Sequence, residues 1–119
     1  MRRIIFLLSF IIFGPVNVHA EPVYLNCQVI DTAGGKTSID ITLDEANQLV
    51  SYVIVDTGRT TKTTGVFSAD RVFFIGTGSI ELQYTINRVD LSFQRTIPLL
   101  NTVDKGKCSI VQVPRNRKF

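Results

Sequence analysis

Histidine is almost missing from this 119-residue chain, and the single one, His19, lies in a segment that reads as a removable leader. A domain without histidine has no Ser-His or Cys-His nucleophile system. It also builds no His-containing zinc or copper site. Cysteine is scarce as well: Cys27 and Cys108 are the only two, and no C-x-x-C motif brings thiols together. Without that motif there is no local device to lower a thiol pKa for redox work. The D-x-[DN]-x-[DN]-G pattern of a calcium loop is absent too. No cofactor or metal is therefore expected.

The N-terminus reads as an export signal. Met1-Arg2-Arg3 carries two positive charges, Ile4–Phe13 is an almost wholly apolar run, and Gly14-Pro15 breaks it. Val18 and Ala20 then stand at the −3 and −1 positions of a cut before Glu21. This is the n-, h- and c-region order of a secretory signal. The apolar run is about half the roughly 20 residues that a transmembrane helix requires. The expected organisation is a signal peptide over 1–20, one β domain over 21–113 and a basic tail over 114–119. That predicts a periplasmic or secreted protein.

Cleavage takes two of the 13 basic residues, leaving 11 against 10 acidic ones in 99 residues. Three of those 11 sit in the tail, as Arg115, Arg117 and Lys118, so the body carries a slight negative excess. The clustered basic face of a nucleic-acid binder is not there. The mature length suits one domain with a modest core. In an oxidising compartment, two cysteines near its two ends read as one structural disulfide, Cys27–Cys108.

Period-2 alternation runs along nearly all of this domain. Val23, Leu25, Cys27 and Val29 share one face, as do Ile39, Ile41 and Leu43, with polar residues between them. The spacing predicts further strands over Gln48–Asp56, Arg59–Thr64 and Arg71–Ile75. A hairpin follows, with Ile80, Leu82, Tyr84 and Ile86 inward, a bend at Asn87-Arg88, and Val89, Leu91 and Phe93 inward on the return. Leu99–Gly106 reads as a loop and Lys107–Val113 as the last strand. Asp44–Asn47 is too short for more than a connection. Seven or eight short strands and no amphipathic helix predict an all-β antiparallel meander, closed as a small barrel or folded as a sandwich. A bond between the terminal strands favours the barrel.

Several features are candidates for function. Arg59–Thr64 sets two cations, Arg59 and Lys62, among four threonines; this suits a binding edge for an anionic or glycan surface, or a solvated edge strand. Arg115, Arg117 and Lys118 suit contact with anionic lipid or polysaccharide, or a solubilising end. Leu99-Leu100 with Phe73-Phe74 suits an apolar partner patch, or a cap on the barrel end. Tyr24, Tyr52 and Tyr84 read as core. The carboxylates Asp40, Asp44, Glu45, Asp56, Asp70, Glu81 and Asp90 fall mostly at turns or outward positions, so a glycosidase-type pair is not expected, and neither is an enzyme.

Leu25-Asn26-Cys27, Ile86-Asn87-Arg88-Val89 and Gly106-Lys107-Cys108 give the chain a layout that resembles small uncharacterised exported bacterial proteins with a cysteine in the first strand and a Gly-x-Cys near the end. That resemblance implies a periplasmic or secreted, disulfide-clipped β fold and carries no active residues. The expected shape is also somewhat similar to the C-type lysozyme inhibitors, whose Ser-Gly-x-x-Tyr loop this sequence lacks. The expected function is non-enzymatic binding of a protein or envelope component, or a structural surface role. Inhibition of a lysozyme-like hydrolase and a small-ligand barrel are the alternatives. Phe-rich strands this short are expected to fill the barrel interior.

Overall fold

The computed structural model describes residues 21–76 and 78–112. Eight strands run in chain order: β1 (Val23–Ile30), β2 (Lys36–Asp44), β3 (Leu49–Ile54), β4 (Arg59–Phe67), β5 (Arg71–Gly76), β6 (Leu82–Asn87), β7 (Ser92–Ile97) and β8 (Thr102–Val111). Each pairs antiparallel with the next and β8 pairs back onto β1, which closes the barrel. Closure leaves no sheet edge at the seam. No helix among the described residues is long and apolar enough to cross a membrane.

Alternation explains the two surfaces. Leu25, Cys27, Val29, Ile39, Ile41, Val50, Tyr52, Val72, Phe74, Tyr84, Ile86 and Phe93 all bury their side chains inside the ring. The residues between them face out and are largely polar. On β1 and β2 they bond to each other: the Asn26 amide donates to Ser38 Oγ (3.0 Å) and Asp40 Oδ1 (2.8 Å), and the Gln28 amide donates to Asn26 Oδ1 (2.8 Å). An apolar lumen inside a polar wall is the reverse of a lipid-facing barrel.

Cys27 lies directly opposite Cys108 in the β1–β8 register, and the two form a disulfide inside the lumen. Beside it, Gly106 faces Val29 so closely that a Cβ there would strike the Gln28 carbonyl and the Val29 Cα. Only glycine allows the two strands to meet at that point.

Four expectations need correction. Strand β8 begins at Thr102, so most of the stretch read as a loop is strand; Pro98–Leu100 forms one 3-10 turn before it, with Asn101 at positive φ. Ile80 lies in the turn before β6, exposed, and β6 starts at Leu82. The β6–β7 turn runs through Leu91, so Val89 is at the tip and exposed rather than inward. Tyr24 faces outward, opposite Thr42, and is half-buried, whereas Tyr52 and Tyr84 are core.

The expected apolar patch is not assembled either. Phe74 is inside the barrel, and Phe73 lies outside it against Thr85. Leu99 and Leu100 stand exposed on the β7–β8 turn and cap nothing.

Candidate functional site

One end of the barrel is open. The inward-facing side chains continue to the rim, where the connections stop covering them. Leu25, Val72 and Ile86, all fully buried, form the floor of a cavity of about 280 Å3. Leu43, Phe67 and Leu91 form its wall, and the exposed Val23 and Ile110 its lip. Among the described residues, Glu21, Glu45 and Arg88 are the charged ones that line it. Tyr84, Phe74 and Phe93 fill the barrel interior, and the cavity lies at its end.

Two local features shape the mouth. The first is the β6–β7 turn. The Asn87 side-chain carbonyl accepts from the backbone N–H groups of Val89 (2.8 Å) and Asp90 (3.1 Å), and the Leu91 N–H returns to the Asn87 carbonyl (2.9 Å). Leu91 closes the turn at φ +63°, a region that side chains like leucine rarely occupy. That backbone turns its side chain back onto the core as cavity wall. The second is the 3-10 turn Glu45–Asn47, capped by the Asp44 carboxylate, which accepts from the Asn47 N–H.

Arg88 joins the two features. Its Nη2 donates to Glu45 Oε1 at 2.7 Å, and its Nη1 donates to the Ser68 carbonyl at 2.7 Å and to Glu45 Oε2 at 3.3 Å. The β2–β3 and β6–β7 connections stand half a ring apart in an eight-strand barrel, so the ion pair spans the mouth as a strap. Ser68 belongs to the β4–β5 connection, so one guanidinium ties all three hairpin loops at this end. Its hydrogen bond holds the Glu45 carboxyl below the ordinary carboxylate range. Both groups keep substantial exposure, which limits what the pair adds to stability.

A second ion pair sits inside the barrel wall. Arg95 and Asp104 face each other across β7 and β8, and the guanidinium Nε and Nη2 donate to Asp104 Oδ2 at 2.9 and 2.7 Å. Next to it the Tyr84 hydroxyl is buried with no hydrogen-bond partner among the described residues. Burial foremost, and then the neighbouring Tyr52, push its pKa up to about 12.

No family of known proteins matches this chain, and no curated protein or solved structure does. Its function is read from its own geometry.

The structure does not gather the residues singled out in the sequence. Arg59 opens β4 opposite Ile54, at the end of the barrel away from the mouth, and Lys62 faces outward beside Ser51. Arg115, Arg117 and Lys118 lie outside the described residues. The acidic side chains mostly do local work: Asp44 caps a turn, Asp70 pairs with Arg71, Glu81 accepts from Gln83, and Asp90 accepts from the Ser92 N–H. A larger concavity of about 640 Å3 lies on the outer wall around Asn26, Asp40, Thr42 and Ser51. Asn26 and Asp40 there already bond to each other, so the mouth is the better candidate.

Sequence reasoning missed the strap and the Arg95–Asp104 pair. Arg88 was legible only as a bend residue and Glu45 as part of a short connection. Counting strands around an eight-membered ring would have set those two connections opposite each other.

Proposed function

We propose that this protein is an exported, non-enzymatic binding domain of the cell envelope or extracellular space, and that it binds through the open barrel mouth. One observation carries the reading: an open cavity at the barrel end, lined by inward-facing aliphatic and aromatic side chains. Binding sites are typically such concave, mostly apolar places with a few polar groups at the rim. The buried Cys27–Cys108 bond and the leader-like N-terminus support the extracytoplasmic location.

A neutral fluorescent naphthylamine titrated into the purified protein tests this. The expected result is saturable binding at one site. It should be lost in Leu43→Trp, whose larger ring fills the mouth, while the circular dichroism spectrum stays that of the wild type. A probe that does not bind the wild type, or binds Leu43→Trp equally well, overturns the reading.

A further inference from the structure

We propose that the ligand of this mouth is an aliphatic chain ending in an anion, and that its anionic end takes the place of Glu45 on Arg88. The inference rests on the mouth being the binding site and adds the chemistry of what enters it.

The cavity sets the apolar part. A cavity of about 280 Å3 takes a short chain rather than a bulky ring system. Below the rim the described residues that line it are aliphatic and aromatic. A flexible chain suits such a space, and a sugar or other polyhydroxylated group would lose its hydrogen bonds there.

The rim sets the charged end. Among the described residues Arg88 is the only cationic side chain lining the mouth, beside the carboxylates Glu21 and Glu45, and it is held by more than its ion pair. Its Nη1 donates to the Ser68 carbonyl at 2.7 Å, and its backbone N–H donates to the Asp70 carbonyl at 2.8 Å. Both bonds persist without Glu45. The Glu45 carboxylate has only Arg88 as a partner among the described residues, and it is the more exposed of the two. Of the two members of the strap, Glu45 is therefore the one that swings away. Its departure opens the mouth and leaves a guanidinium fixed at the rim, with the N–H pair that matches a carboxylate.

The experiment is a titration of isotopically labelled protein with octanoate, 1-octanol and octylammonium, followed through the amide resonances of Leu43, Ile86 and Leu91. The expected result is octanoate binding about tenfold or more tighter than octanol, with octylammonium weakest. Glu45→Gln, which removes the competing charge, should tighten octanoate severalfold more than it tightens octanol. Arg88→Gln should bring octanoate down to octanol, and retained octanol binding shows that this variant is folded. Arg88→Lys, which keeps the charge but not the paired donors, should fall between. Equal binding of octanoate and octanol, or tighter binding of octylammonium, overturns the anionic assignment while the mouth remains a ligand site. Failure of all three to bind overturns the mouth itself.

Discussion

Tyr84 is the residue that the fold accommodates least well. Its ring belongs in the core, packed against Phe74 at 4.8 Å and against Tyr52 and Phe93. Its hydroxyl is fully buried, with no hydrogen-bond partner among the described residues. An unsatisfied buried hydroxyl costs on the order of 1–3 kcal/mol, so Tyr84→Phe should stabilise the protein by about 1 kcal/mol in urea unfolding. The pH dependence has a definite sign. The native pKa is raised to about 12 from an ordinary 10.0, so the contribution of this group is complete below pH 10. It is lost as pH rises from 10 toward 12, because the unfolded chain ionises there first. Tyr84→Phe should therefore lose stability more slowly over that window, and an unchanged slope would mean that the hydroxyl ionises as freely in the native state. That Tyr84 is core was legible from alternation. That its hydroxyl is unpartnered was not, because it depends on what β3 and β7 bring alongside.

The elements were legible wherever one face is apolar, and they failed where the lumen itself is polar. Strands β1, β2 and β6 each alternate clearly, and the inward residues within them are those that the period selects. Strand β8 hides its first half because its inward positions are Thr102, Asp104 and Gly106, which read as loop residues. Asp104 is buried only because Arg95 stands opposite it on β7, and no local pattern reports a partner nine residues away. Removing one member of such a pair leaves a buried charge unpaired and costs about 3–5 kcal/mol, whereas replacing both by apolar residues of similar volume is often neutral. Arg95→Met should thus destabilise the barrel by about 3 kcal/mol, and Arg95→Met with Asp104→Leu should recover most of it. Chemical denaturation of the two variants checks this. If the double variant is no better than the single one, the pair contributes more than mutual neutralisation. The same logic of opposing elements placed Arg88 over Glu45: each lies in a turn with no signal of its own, and only the ring brings them together.

At the scale of the whole molecule, the disulfide is the feature that the sequence announced most clearly, since two cysteines near the ends of an alternating chain imply closure. The barrel explains what the bond adds. Seven register pairs, from Tyr24 opposite Val111 to Ile30 opposite Lys105, already join β1 to β8, so the native ring is closed by backbone hydrogen bonds in any case. The bond links residues 81 apart, and its main action is then to restrict the unfolded chain. For a loop of this length the chain-entropy estimate is about 4–5 kcal/mol, with measured losses commonly about 2–5. Cys27→Ala with Cys108→Ala should lower stability by that order, a large share of the roughly 5–15 kcal/mol typical of a domain. Native-state hydrogen exchange separates the two modes of action. If the bond acts on the unfolded chain, protection should drop by one common factor for the slowest amides of β1, β6 and β8 alike, because all of them exchange through the same global opening. If β1 and β8 alone lose protection, the seam depends on the bond in the native state. The mouth lies at one end of that seam, between Val23 and Ile110. In the first case a variant without the disulfide should bind octanoate as the wild type does, since the folded barrel and its rim are unchanged.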